Sequence, residues 1–429
     1  MKKGLIALSP LLLFVVLYLF TSLWAHDFYQ VPITVPFLLS SIYAILISSK
    51  LPLRKRIEVY SRGAGSPSMM LMFWIFVLAG AFAHSAKVMG SIDSTVNLAL
   101  LLLPGNLILA GLFLAACFIS LSIGTSVGTI VALTPIAAGI AQSTGTDVAL
   151  IISTVVGGAF FGDNLSFISD TTVMATSTQG CKMSDKFRVN IRIVLPAAIL
   201  VFALYVYLGK DMTSGGPQAD IDIWRILPYI AVLACAIAGM HVMAVLAIGI
   251  ALTGLIGICL HSYDLLGWFQ AMGSGITGMG ELIIISMMAA GMLEIIHKNG
   301  GIDFILQQLS RRVHGRMGAE ASIAALVCLV NVCTANNTVA ILTVGGIARQ
   351  VAQKYGVDPR RTASILDTSS CAIQGMLPYG AQLLMAGGLA AVNPISVVPY
   401  LYYPMAIGLA TVLAILFRYP RQYAEGQPT

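Results

Sequence analysis

Long apolar stretches recur along this chain, and short polar or charged segments separate each one from the next. Stretches of roughly 17–25 apolar residues are long enough to cross the ~30 Å hydrocarbon core of a bilayer as helices. The pattern predicts membrane helices at residues 5–23, 31–49, 69–87, 106–122, 130–141, 147–161, 166–178, 193–208, 223–239, 241–260 and 397–417. The short alternating segments of a transmembrane barrel do not occur. We therefore predict an all-α polytopic membrane protein.

Composition and charge support this fold class. Of the 429 residues, 58% are hydrophobic and only 10% are charged, against about 25% in a soluble domain. The net charge of +6 is concentrated in a few short loops, chiefly 50–62 and 182–192, and the latter includes Lys186. Such loops face the cytoplasm, so the charge indicates topology and not a nucleic-acid partner. We predict a multi-pass protein of the inner (plasma) membrane with both termini cytoplasmic, and a homodimer stays an open alternative.

The last third of the chain repeats the middle. The paired segments are 89–93 with 299–303, 125–129 with 334–338, and 139–141 with 346–348, at offsets near 210. The basic loops lie at the edges of the first copy but inside the second, at 298–316 and 349–361. The copies are therefore predicted to be inverted repeats, the frame of alternating-access transporters.

Four regions follow from this duplication. They are an N-terminal helix pair at 1–60, transport repeat 1 at 61–192, linking helices at 193–262, and transport repeat 2 with a C-terminal helix at 263–429. Charge placement requires 105–141 and 319–349 each to cross an even number of times. Re-entrant hairpins and helices broken at the midplane both satisfy that requirement.

Two interrupted apolar segments at matching positions of the repeats, 124–129 and 333–338, are the best candidates for a transport site. Unwound backbone there frees carbonyl groups for a small cation, and helix N-termini attract an anion. Neutral side-chain oxygens, the ligand type that hard cations prefer, come from Thr125, Ser126, Thr129, Thr334, Asn336, Asn337 and Thr338.

Carboxylates supply the charge that neutral oxygens lack. Asp163 and Asp170 are seven residues apart, so they share one face of a continuous helix or lie on either side of a break. We predict that both bind Na+, with Asn164, Ser169 and Thr171 beside them. Asp367 is predicted to be the corresponding carboxylate of the second half. Helix capping or a hydrogen bond at a kink is the structural alternative for each carboxylate.

The second half contains a further break at 375–383, and Gln374 and Gln382 flank it as additional candidates for the site. The spanning segments contain no motif of a hydrolase or metalloprotease, which indicates a transporter and not an enzyme. No cofactor is predicted, and Na+ is the expected coupling ion.

Two strings resemble the NhaC-type sodium/proton antiporter family of the ion-transporter superfamily. They are Gly124-Thr125-Ser126-Val127-Gly128-Thr129 ahead of Thr134-Pro135-Ile136, and Phe161-Gly162-Asp163-Asn164 with Ser166 and Ile168-Ser169-Asp170-Thr171-Thr172. The resemblance implies a sodium-dependent secondary transporter, with Thr125, Ser126, Asp163, Ser169, Asp170 and Thr171 at motif positions. Phe167 departs from the family's Ser-Pro-Ile-Ser-Asp pattern. Residues 375–382 look more like a branch that moves organic substrates with sodium.

Two functions remain open at this point. In Na+/H+ antiport, a buried aspartate binds either Na+ or H+, and burial tunes the proton affinity of such a carboxylate. The alternative is sodium-coupled transport of an amino acid or small carboxylate. A cavity large enough for such a solute favours the alternative, and a tight polar site favours antiport.

Overall fold

The structure, a computed structural model, describes residues 2–24, 32, 34–48, 51–102, 104–166, 169–210, 212, 222–238, 240–304 and 315–423. These residues form α-helices, short 3-10 turns and connecting loops, with no strand among them. Seven described helical segments are long and apolar enough to span a membrane, and two sharply bent helix pairs qualify when each pair is taken together. The predicted all-α polytopic fold class is confirmed.

The helices of the first half and of the linking region follow the predicted order. They are α1 (Lys2–Trp24), α2 (Thr34–Ile47), α3 (Leu53–Ala64), α4 (Pro67–Met89), α5 (Ser91–Leu102), α6 (Ile108–Ile123), α7 (Ser126–Thr144), α8 (Val148–Leu165), α9 (Asp170–Gln179), α10 (Met183–Gly209), α11 (Ile223–Ile237) and α12 (Val242–Cys259). Phe167 and Ile168, which belong to the family motif, lie outside the described residues.

The second half continues in the same manner. Its helices are α13 (Leu265–Gly278), α14 (Gly280–Lys298), α15 (Gly315–Thr334), α16 (Asn337–Tyr355), α17 (Pro359–Gln374), α18 (Ala381–Ala390), α19 (Pro394–Val397) and α20 (Tyr402–Leu416). The bent pairs are Ser91–Leu101 with Gly105–Leu121, at 106°, and Ala381–Ala390 with Pro394–Tyr400, at 102°.

The basic segment 50–62 is not a loop, as its charge suggested, but most of helix α3. This helix packs on α14, and its Tyr60 hydroxyl donates to Ser41 Oγ of α2 at 3.0 Å. Arg56 Nη1 donates to the carbonyl groups of Ile45 and Leu46 at the C-terminus of α2. Some of the basic residues therefore hold neighbouring helices together.

Helices α7 and α8 form an antiparallel hairpin, because the two helices pack together and only residues 145–147 separate them. Gly145 ends α7 with a φ of 67°, which glycine adopts without strain, and the Asp147 carboxylate caps α8 by accepting from Ala149 N. Nearly every side chain of this hairpin is buried. The polar residues at its open end are therefore enclosed by protein.

Helices α16 and α17 form a second hairpin of the same design. Gly356 ends α16 with a φ of 67°, and the Asp358 carboxylate caps α17 by accepting from Arg360 N. The starts of α7 and α16, both connecting glycines and both capping aspartates are each 211 residues apart. Helices α9 and α18 also begin and end 211 residues apart. The fold thus contains the predicted duplication of helices, at an offset slightly larger than the sequence suggested.

The two copies exchange packing partners. Helix α9 of the first copy packs on α16 of the second, and α18 of the second copy packs on α7 of the first. The open ends of both hairpins consequently meet at the centre of the molecule. Helices α15, with 20 residues, and α16, with 19, are longer than the sequence suggested, and at 1.5 Å per residue each extends about 30 Å.

Candidate functional site

A cavity of about 230 Å³ lies where the open ends of the two hairpins meet. Most of the predicted site residues line it, namely Thr125, Ser126, Asp163, Ser169, Asp170, Thr171, Asn336, Asn337 and Thr338. Residues from both copies contribute, so a movement of one copy against the other would change this cavity.

Asp163 is the buried carboxylate of this cavity. It lies in the last turn of α8 and is only 4% exposed. Its Oδ1 accepts a hydrogen bond of 3.0 Å from the backbone N–H of Ser126, the first residue of α7. The positive end of the α7 dipole therefore stabilises its charge in part. No Lys or Arg of the described residues forms an ion pair with Asp163, so its charge is available to a cation.

The first break begins with Gly124, whose φ of 73° ends α6, and Thr125 is extended before α7 starts at Ser126. A side chain at position 124 would be strained, because few other residues adopt this conformation. The unwound part is therefore two residues long, shorter than the predicted 124–129. Thr129 lies inside α7, where its hydroxyl donates to the carbonyl of Thr125.

The second break separates Asp163 from Asp170, as one of the two sequence alternatives required. Helix α8 ends at Leu165, and Asp170 is the first residue of α9, where it is exposed. The Thr171 hydroxyl donates to the carbonyl of Asp163 at 3.2 Å, and the hydroxyls of Ser169 and Thr171 lie 2.9 Å apart. The two carboxylates thus differ in burial although both line the cavity.

The second copy contributes amides instead of a carboxylate. Gln374 Nε2 donates to the carbonyl of Ala335 at 3.0 Å and to Gln382 Oε1 at 2.8 Å. Gln382 Nε2 in turn donates to Ser126 Oγ at 3.1 Å. This chain of hydrogen bonds connects the second copy to Ser126, next to Asp163. Both glutamines line the cavity and belong to the site, although sequence reasoning kept them only as secondary candidates.

Asn336 and Asn337 act at the start of α16. Asn336 caps the helix, since its Oδ1 accepts from Val339 N at 3.0 Å, and Asn337 Oδ1 accepts from Thr338 N at 3.0 Å. Their amide groups therefore hold the break of the second copy in place. Ala335, with a φ of 48°, takes the position that Gly124 has in the first copy.

Two further predicted residues lie outside the cavity lining. Asn164 is fully buried behind the cavity, and its Nδ2 donates to the carbonyl of Phe160 and to the Tyr403 hydroxyl. Thr334 lines a neighbouring cavity instead, and its hydroxyl donates to the carbonyl of Asn336. Both residues support the breaks from behind.

Asp367 requires a correction, because it is not the structural counterpart of Asp163. Asp163 and Gln374 are 211 residues apart, as are the capping residues Asp147 and Asp358, so Gln374 occupies the matching position. Asp367 lies two helical turns earlier in α17 and does not line the cavity. Its Oδ2 is 2.7 Å from Lys186 Nζ, and both side chains are at most 1% exposed.

Lys186 was interpreted as a cytoplasmic loop charge, and the structure overturns this interpretation. It lies in the first turn of α10 with its side chain buried. A sequence signal did exist, since a buried Asp367 requires a partner of opposite charge. Arg361 is a second example, because it is buried and forms a bidentate ion pair with Glu320 at 2.5 and 2.7 Å.

A larger cavity of about 520 Å³ adjoins the first one. The two cavities share the lining residues Met72, Ala335, Asn336, Val339 and Ala381. Both therefore approach the same break of the second copy.

Charged groups also line this larger cavity, including Arg62, Glu294 and His297. Its volume falls in the range of about 300–1,000 Å³ that is typical of small-molecule sites.

The fold and this site define a polytopic helical membrane transporter and not an enzyme. The sequence profile described as the Na+/H+ antiporter family matches residues 6–210 and 219–420. The chain therefore belongs to the Na+/H+ antiporter family, and the NhaC-type resemblance seen in the motifs is confirmed.

Named relatives are consistent with this membership. The Na(+)/H(+) antiporter NhaC of Alkalihalophilus pseudofirmus is 26% identical over 328 residues, which cover 69% of each chain. The Na(+)/H(+) antiporter NhaC of Bacillus subtilis is 23% identical over 381 residues, covering 79% of this chain and 81% of that protein. The malate-2H(+)/Na(+)-lactate antiporter of Bacillus subtilis is 20% identical over 373 residues, covering 79% of both.

Proposed function

We propose that the protein exchanges Na+ for H+ across the inner membrane, and that Asp163 binds the two ions in alternation. The observation that carries this proposal is a buried carboxylate, unpaired with any cation of the described residues, in a polar cavity between the two copies. The activity named for the two NhaC relatives supports the same reaction.

The exchange would follow from charge. With Na+ bound, the ionised Asp163 carboxylate balances the ion, and oxygens of neighbouring residues replace its water. With H+ bound, Asp163 is neutral, and a buried site without a net charge no longer favours Na+. One carboxylate cannot hold both ions, so each crossing carries one or the other.

Access would alternate between the two sides of the membrane. The cavity is formed by two duplicated copies that exchange packing partners, so one copy can rock against the other around the site. Inverted orientation of the copies, with both termini in the cytoplasm, is part of this proposal and rests on the placement of basic residues.

A second function is favoured by one specific observation, the adjoining cavity of about 520 Å³. It is large enough for an amino acid or a small carboxylate, which would then move together with Na+. The lactate and malate named for one relative are solutes of this class.

Uptake of ²²Na+ into proteoliposomes separates these functions. We would compare wild type, Asp163→Asn and Asp147→Asn, each with and without an outward proton gradient. Asp147→Asn is the matched control, because it makes the same substitution at the other end of α8, where asparagine also caps a helix.

Antiport predicts uptake that the proton gradient drives, that Asp163→Asn abolishes and that Asp147→Asn retains. Uptake that ignores the gradient but rises with added malate, lactate or an amino acid would contradict antiport and support the second function. Uptake at the wild-type rate in Asp163→Asn would place the ion site elsewhere.

A further inference from the structure

The Lys186 side chain ends in a shell of oxygen atoms that matches its charge and its number of donors. Its Nζ is 2.8 Å from the Asn164 carbonyl oxygen, 2.7 Å from Thr172 Oγ1 and 2.7 Å from Asp367 Oδ2. An ammonium group has three N–H donors, and each has an acceptor here. The group is 1% exposed, so these oxygens take the place of its water.

The same oxygens would suit a metal cation. A backbone carbonyl, a hydroxyl and a carboxylate are the ligand types of hard cations such as Na+. Asn190 Nδ2 donates to the Asn164 carbonyl oxygen at 2.9 Å and to Asp367 Oδ2 at 2.8 Å. Two of the three oxygens are thus held in position by a second residue, and the shell is built independently of Lys186.

This shell is attached to the second break. Asn164 follows Asp163 directly, and the carbonyl of Asp163 lies 3.2 Å from the Thr171 hydroxyl and 3.5 Å from the Thr172 hydroxyl. Thr171 faces the cavity, whereas Thr172 contacts Lys186. The ammonium group therefore lies behind the cavity wall, on the same piece of backbone that carries Asp163.

We propose that the Lys186 ammonium is a built-in cation that permanently occupies a second cation site behind Asp163. The protein then needs an exchangeable cation only at Asp163, because the charge of Asp367 is already balanced. Removing the lysine side chain would leave a buried, uncompensated carboxylate in an oxygen shell, and Na+ would enter this shell.

The test measures Na+ binding in a chain that lacks Asp163, so it does not depend on the proposed antiport. Purified Asp163→Asn, Asp163→Asn/Lys186→Ala and Asp163→Asn/Lys186→Ala/Asp367→Asn would be titrated with ²²Na+. We expect one Na+ per chain in the variant with Lys186→Ala alone added, and none in the other two.

Thermal unfolding gives a second readout. For Lys186→Ala we expect NaCl to raise the unfolding temperature by on the order of 2–5 °C over choline chloride. Lys186→Met is the matched control, because it also removes the charge but fills the space, so NaCl should not stabilise it.

Three results would overturn the proposal. They are a folded Lys186→Ala that binds no Na+ without Asp163, equal stabilisation by NaCl and choline chloride, and a Lys186→Ala that does not fold even when purified in NaCl. Failure of the proposed antiport would appear instead as unchanged ²²Na+ transport in Asp163→Asn.

Discussion

The two hairpins at the centre of this protein have nearly the same backbone but different charges. The α7–α8 and α16–α17 hairpins share their connecting glycines, their capping aspartates and an offset of 211 residues. At the matching position near the open end, however, the first has Asp163 and the second has Gln374. The duplication provides a symmetric frame, and one residue makes the ion site asymmetric.

The different environments of these two residues explain why the charge stays in the first hairpin. Asp163 accepts from the N–H of Ser126, whereas Gln374 donates to the carbonyl of Ala335. A carboxylate at position 374 would face an acceptor and would lose a hydrogen bond. The frame is symmetric, but its polar partners are not.

Moving the carboxylate to the second hairpin is the strongest test of this comparison. We expect that Asp163→Gln abolishes Na+ transport and that Asp163→Gln/Gln374→Asp does not restore it. The expected loss is on the order of 100-fold, because a charge-assisted interaction contributes up to about 3 kcal/mol and each 1.4 kcal/mol is tenfold. Initial rates of ²²Na+ uptake measure the effect, with Gln374→Asp alone as the control. Recovery to within tenfold of wild type would show that the hairpins are equivalent.

Gly162 tests how closely the first hairpin packs against α6. A Cβ atom at this position would overlap the side chain and backbone of Ser120, whereas the matching residue of the second hairpin is Ile373. We expect Gly162→Ala to destabilise the protein by about 1–3 kcal/mol through overpacking.

Thermal unfolding in detergent checks this prediction. Gly346→Ala is the control, because a Cβ there meets no atom within 4 Å. Equal unfolding temperatures for the two variants would mean that α6 and α8 are not in close contact.

Asp170 should give the smallest effect. It lines the cavity but is exposed, so water screens its charge and Asp170→Asn should cost only about 1 kcal/mol. We expect Na+ affinity to fall by roughly 3- to 10-fold while maximal transport persists. The concentration dependence of ²²Na+ uptake separates these quantities, and complete loss of transport would instead give Asp170 the same importance as Asp163.

The sequence predicts this site well because polar residues are rare in its apolar segments. The string 124–129 and the carboxylates Asp163 and Asp170 stand out for this reason, and the structure places most of these residues around one cavity. The helices of the first copy are likewise visible as apolar stretches. Membrane solvent imposes a simple rule that a single sequence can reveal.

Long-range pairing was not predictable in the same way. Lys186 and Arg361 are near clusters of basic residues, where the positive-inside rule explains them adequately, yet both side chains are buried against acidic partners. The register of the duplication was also two residues off at the first break. Short matches in the sequence did not fix it, whereas the capping residues Asp147 and Asp358 do.

The Lys186–Asp367 ion pair also imposes an order on biosynthesis. Asp367 follows Lys186 by 181 residues, so at about 5–20 residues per second the ribosome delivers the partner roughly 10–40 s later. During that interval the first copy has been made, but the helices that cover α7 and α9 have not. A nascent first half would therefore wait at the membrane with an unmatched positive charge, and insertion of the second half would complete both copies together.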